Sequence, residues 1–209
     1  MEVRLVSCLL SALLATASAV WPPPSSCYQS VPGKSSVTGS CQRDENVCLT
    51  VQETNSLGGV VNTGILQACG SNMRSLTGRL DFELGGGVYV RILSQICGET
   101  NCNVAVFKDR PKISTVPNGW QCPSCYAPGS QHCLRNNTRP CHGGASQCVY
   151  IVGTLSEENI EIPFAAGGCA TKGVAGVKAG DVLQSGVFTY RITTIQLSPA
   201  TRMETVDGF

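Results

Sequence analysis

CQRDENVCLTVQE at residues 41–53 returns as CHGGASQCVYIVG at residues 141–153. Cys41, Cys48 and Cys69 recur as Cys141, Cys148 and Cys169, each pair 100 positions apart. Asp81, Gly86, Arg91 and Ile92 match Asp181, Gly186, Arg191 and Ile192 at the same offset. Seven matches without a gap exceed what chance supplies, so the chain reads as two copies of one unit. Upstream the register slips: Cys27 aligns with Cys122, 95 positions on, which places an insertion in a loop. The copies run over residues 20–107 and 120–209. The join, residues 108–119 (KDRPKISTVPNG), carries two prolines and mostly polar residues, as a linker should.

Within each copy the pattern is that of strands. Residues 48–53 alternate and are rich in β-branched side chains, NSLGG at 55–59 is turn-like, and residues 60–69 return as a second strand. Residues 148–155, a tip at 156–159 and residues 160–169 repeat this in the second copy. A third strand is expected over residues 88–97, after the turn Gly85-Gly86-Gly87, with a counterpart over 188–197. No segment shows helical periodicity between caps. The expected class is all-β. Units of this size with few large apolar residues imply thin separate cores, for which disulfides compensate at roughly 3 kcal/mol each.

The chain has 209 residues, of which 14% are charged, and a formal net charge of +1. Residues 20–111 hold seven basic and seven acidic side chains, and residues 112–209 hold seven and six. That balance argues against nucleic acid as a partner. Residues 1–19 read as a secretory signal: Arg4, a short apolar run from Leu5 to Ala15, and Ala17-Ser18-Ala19 as a small-x-small cleavage site. The run is too short to span a bilayer, and the last residues lack the apolar tail of a lipid-anchor signal. Cleavage removes Cys8 and leaves 12 of the 13 cysteines. The expected product is a secreted protein stapled by disulfides, without a membrane anchor.

Six cysteines in each unit allow 15 pairings. The spacing Cys122-Pro123-Ser124-Cys125, Cys133, Cys141, Cys148, Gly168-Cys169 resembles the first half of a three-finger domain, the fold of the lymphocyte antigens and the urokinase receptor. Cys97, four residues, then Cys102-Asn103 resembles that family's ending. The paired arrangement, with NGWQCPSCY opening the second unit, is most similar to the gamma-type phospholipase A2 inhibitors of plasma. Amphibian courtship factors are among their relatives. The resemblance implies two tandem three-finger domains and the bridges Cys27–Cys48, Cys41–Cys69 and Cys97–Cys102 in the first. In the second it implies Cys122–Cys148, Cys125–Cys133 and Cys141–Cys169. Departures from the ten-cysteine pattern remove both members of a bridge: Ser30 and the Ser35-Ser36 region in the first unit, then the Met73 region and Ile96. In the second unit Leu197 and Arg202 align with Cys97 and Cys102. With its last two bridges gone, the second unit is expected to have a mobile connection at residues 173–180 (GVAGVKAG) and a looser end.

Few side chains invite chemistry. Cys122, Cys125, Cys141 and His142 have zinc-compatible types and spacing, but a disulfide framework with His132 and His142 in loops is the preferred reading. Ser146 lies four residues from His142, without a triad context. Gly85-Gly86-Gly87 and residues 173–180 lack the lysine-serine ending of a phosphate loop. Residues 21–24 (WPPP) read as an extended leader. Asn136-Asn137-Thr138 is a glycosylation sequon at Asn136. No enzyme activity, metal or cofactor is expected. The resemblance implies a protein partner, with a secreted phospholipase A2 inhibited by occlusion. The alternatives are a secreted signalling ligand of the same fold and, less favoured, a secreted hydrolase. The contact candidates are the fingers between Cys48 and Cys69 and between Cys148 and Cys169.

Overall fold

Val47, Leu49, Val51, Glu53 and Asn55 fall on one face of a nine-residue strand, and all but the partly buried Leu49 are buried. The same parity in the second unit gives Val149, Ile151, Gly153 and Leu155. These two strands are the centres of the two units. The computed structural model describes residues 22–30, 35–71, 77–104, 114–157 and 160–203. The signal segment 1–19, Trp21, Met73, the first half of the join, the tip residues Glu158 and Asn159, and the last six residues lie outside the described residues.

The first unit contains β1 (Ser26–Gln29), β2 (Val37–Ser40), β3 (Val47–Asn55), β4 (Asn62–Gly70), β5 (Gly78–Leu84) and β6 (Tyr89–Cys97). The second contains β7 (Pro117–Pro128), β8 (Asn137–His142), β9 (Ala145–Glu157), β10 (Ile160–Thr171), β11 (Val182–Gln184), β12 (Thr189–Pro199) and β13 (Thr201–Arg202). The join expected over residues 108–119 therefore gives up its last three residues to β7. Strand order makes the repeat visible: β5-β6-β3-β4 in the first unit and β11-β12-β9-β10 in the second. Register repeats too, with Glu53 opposite Ile92 and Gly153 opposite Ile192.

The units do not stand apart. Phe82, Glu83 and Leu84 of β5 pair antiparallel with Ala170, Cys169 and Gly168 of β10, which joins both three-finger sheets into one. Gly168 makes this possible, since a Cβ there would lie 1.9 Å from the Glu83 carbonyl oxygen. The far edges also converge. A Cβ on Gly64 of β4 would stand 1.9 Å from the carbonyl oxygen of Gly186, in the β11–β12 turn. The eight-stranded path thus curls until its two ends touch, and its inner face closes over a single core. Leu80, Phe82, Leu84, Val90 and Ile92 share that core with Val149, Ile151, Leu155, Phe164 and Ile192. The expected thin, separate cores are corrected accordingly. Each unit buries its apolar face against the other, because a sheet with one apolar face needs a second layer.

The six disulfides join Cys27 to Cys48, Cys41 to Cys69, Cys97 to Cys102, Cys122 to Cys148, Cys125 to Cys133 and Cys141 to Cys169. At the end of the first unit Asn103 is buried. Its Nδ2 donates to the carbonyls of Tyr28 and Leu49 at 2.9 and 3.0 Å, and its Oδ1 accepts from the Tyr28 N–H at 2.9 Å.

The second unit closes differently. The segment expected to be a mobile connection contains a 3-10 turn, Lys172–Gly176, with Val174 fully buried and Val177 nearly so, both in the shared core. Past β12 the chain pairs again, Thr201 with Gln121 and Arg202 with Trp120. The Arg202 guanidinium lies 4.8 Å from the Trp120 ring centre. Where Cys97–Cys102 pins the first unit, a short strand pair and a cation–π contact of about 0.5–1 kcal/mol pin the second.

Candidate binding surface

The fingers proposed for contact from sequence divide into buried roots and exposed tips. Glu53, midway along the first long finger, is fully buried. Its Oε2 accepts hydrogen bonds from the backbone N–H groups of Val187 (2.9 Å) and Phe188 (3.0 Å) and from the Ser185 hydroxyl. Its Oε1 accepts from Asn55 Nδ2 at 2.7 Å and from the Tyr190 hydroxyl. Four of the five donors belong to the second unit. A buried carboxylate is tolerated only when donors replace its water shell, and the β11–β12 turn supplies them. Burial, the neighbouring Glu53 charge and the hydrogen bond to it hold the Tyr190 hydroxyl well above the usual tyrosine range. Nearby, the Tyr126 hydroxyl donates to the Leu57 carbonyl at 3.2 Å, fastening the first finger's turn to β7; burial raises its pKa as well. Most of the finger length is therefore inter-unit structure.

The exposed residues of both fingers sit at the tips, where apolar side chains stand among glycine, Thr63, Glu157 and Glu161. Val60 and Val61, in the β3–β4 turn, are each 64% exposed. Ile160 and Ile162, at the start of β10, are 64% and 41% exposed. Branched apolar residues at both tips, on strands held by disulfides at their roots, are what a protein-contact surface requires.

The interior offers little room for a small molecule. Between the units lies a wholly apolar cavity of about 30 Å³, bordered by Leu57, Phe82, Ile151, Phe164, Leu183 and Tyr190. It is about the size of one water molecule and has no polar partner to hold one.

The sulfurs of the zinc-compatible set are held in bridges. Cys122, Cys125 and Cys141 belong to three different disulfides, so none supplies a thiolate. Cys122, Cys141 and Cys169 do cluster, as do Cys27, Cys41 and Cys69, but each cluster is two neighbouring bridges. His142 faces the first unit. Its Nδ1 lies 3.1 Å from Glu83 Oε2, and its backbone N–H donates to the same oxygen at 2.9 Å. His132 is exposed, and its backbone exchanges hydrogen bonds with the Ser130 hydroxyl. The Ser146 carbonyl accepts from the Ala200 N–H, which helps seat the chain end. Asn136 is exposed in the loop before β8. Among the described residues, no helix is long and apolar enough to cross a membrane.

Sequence reasoning missed Glu53 as a fastening residue, yet the signal was present. It shares the parity of Val51, and its counterpart in the second unit is Gly153. An acid on the apolar face of a strand announces a buried set of donors.

Two repeats of an all-β unit, with bridges at the finger roots and exposed tips, define a paired finger-domain protein. The u-PAR/Ly-6 domain model matches residues 25–105 and 118–195, and the chain belongs to that family. Its members are generally non-enzymatic binding proteins, secreted or held at the cell surface. The crystal structure of mouse TEX101 is 19% identical, with 85% of this chain and 96% of that chain covered and a TM-score of 0.35. No curated protein matches the chain.

Proposed function

We propose that this chain is a secreted, non-enzymatic binding protein of the gamma-type phospholipase A2 inhibitor kind, which occludes a secreted phospholipase A2. The observation that carries the reading is the pair of apolar tips, Val60-Val61 and Ile160/Ile162, on fingers whose roots are locked between the units. A locked finger loses little conformational freedom on docking, and the apolar tip area then removed from water contributes about 25 cal/mol per Å². Disulfide-bonded cysteines offer no adduct-forming thiol, so inhibition is by occupancy and reverses on dilution. The sequence supports secretion through residues 1–19, and exposed Asn136 carries the glycan; N-glycosidase should lower the mass of the secreted protein, and Asn136→Gln should abolish that change.

Titration of a panel of secreted phospholipases with the mature protein tests the reading. Stoichiometric, reversible inhibition of at least one member is expected, weakened at least tenfold by Val60→Asp with the melting temperature unchanged. His132→Ala should have no effect. If no member is inhibited at micromolar protein, the inhibitor reading fails and the signalling-ligand reading replaces it.

A further inference from the structure

We propose that a pocket between the two units binds a carboxylate, with Arg91 and Arg139 as its cationic walls. The pocket measures about 270 Å³ and is bordered by Arg91, Tyr89 and Glu83 of the first unit, Thr115 of the join, and Arg139 and His142 of the second. Arg91 is the anchor. Its Nε and Nη1 are buried and have no hydrogen-bond partner. Its guanidinium lies over the Tyr89 ring, 5.0 Å from the centre, and both residues border the pocket.

Guanidinium nitrogens taken out of water without an acceptor are costly. The nearest internal acid acts on Arg91 through charge and makes no hydrogen bond to its Nε or Nη1. Asp81 is the cross-strand partner of Arg91. Its Oδ2 is taken by Arg79 Nε at 2.5 Å, and its Oδ1 is itself without a partner. The repeat supplies a comparison within one molecule. Arg191, the counterpart of Arg91, has Glu161 Oε1 at 3.9 Å from its Nε. The position corresponding to Glu161 is Val61, so Arg91 lacks the tip acid that stands beside Arg191 and has only the charge of Asp81 opposite. The arginine left over faces a pocket.

Arg139, exposed on β8, adds a second cation to the pocket lining. The opposing charge is Glu83, engaged by His142. A singly charged, planar carboxylate matches the N–H edge of a guanidinium, whereas a doubly charged phosphate would meet more repulsion from Glu83. The carboxylate comes either as a free small acid or on a peptide chain, and the same chemistry recognises both.

The test follows the arginine Nε–H resonances of the full mature protein at constant ionic strength. The probes are acetate, inorganic phosphate, and a short peptide with a free or amidated C-terminus. Acetate should give a saturable shift at Arg91 that Arg191 does not share, and phosphate a weaker one. Arg139→Gln, an exposed substitution, should raise the half-saturating acetate concentration about tenfold, the loss of one charge-assisted hydrogen bond. Arg191→Gln should leave it unchanged. Tighter binding of the free-acid peptide than of acetate identifies a peptide carboxylate as the ligand; equal binding identifies a free acid. The proposal is overturned by a linear response, by Arg91 and Arg191 moving alike, by phosphate binding more tightly than acetate, or by an Arg139→Gln curve that matches the parent.

Discussion

Glu53 of the first unit and Tyr190 of the second share a hydrogen bond inside the protein, with the carboxylate fully buried and the phenol nearly so. The contact joins residues 137 positions apart. It fixes the β11–β12 turn over the first finger, while Val60 and Val61 at the tip of that finger stay exposed.

Removing the carboxylate should be costly. Glu53→Ala leaves the Val187 and Phe188 N–H groups without their acceptor. Loss of one partner from a buried charged network costs about 3–5 kcal/mol, whereas Tyr190→Phe, which removes one donor, should cost about 1–3 kcal/mol. Urea unfolding of the two variants measures both. Losses within 0.5 kcal/mol for both would show that the network is not stabilising.

The same pair sets an alkaline limit. In the unfolded chain Tyr190 loses its proton near pH 10. In the folded protein burial and Glu53 hold that proton to well above this. Stability from this source is therefore complete below pH 10 and falls as pH rises towards the folded pKa, by up to about 1.4 kcal/mol per pH unit. Urea midpoints between pH 8 and pH 11 should fall less steeply in Tyr190→Phe than in the parent. Equal slopes would remove Tyr190 as the cause.

The end of the second unit should be well protected despite its missing bridges. Val174, Val177, Tyr190 and Ile192 are buried in the shared core. Hydrogen exchange of the Tyr190 and Ile192 amides should be as slow as that of Val51 and Val90, and Val174→Ala should cost about 2 kcal/mol. Early exchange confined to residues 173–203 would restore the looser-end expectation.

All 12 cysteines of the processed chain are paired in the structure. Thiol labelling of unreduced, denatured protein should incorporate no label. A stoichiometric label on any of the 12 would overturn the pairing.

The 100-residue repeat made the unit count and the long strands readable, because alternating parity and turn residues act locally. GRLDFEL, the sequence of β5, carried the same alternation of Leu80, Phe82 and Leu84, but its second partner, β10, lies some 85 residues away and no local rule selects it. The bridging pattern was readable only through the family resemblance. The burial of Val174 was not legible, because the absence of bridges was weighed without knowing that Val174 has a core to enter. Arg91 looked like an ordinary repeat position. That its Nε and Nη1 have no hydrogen-bond acceptor becomes visible only in the folded structure.

The central claim is that the two units form one cooperative body, closed by the β5–β10 pairing and the shared core. Scanning calorimetry of the intact, oxidised mature protein tests it most directly, with Phe82→Ala as the companion variant. One transition is predicted, with calorimetric and van't Hoff enthalpies equal. Phe82→Ala, at a cost of about 3–5 kcal/mol, should move that whole transition to lower temperature. Two resolved transitions, of which Phe82→Ala lowers only one, would contradict it.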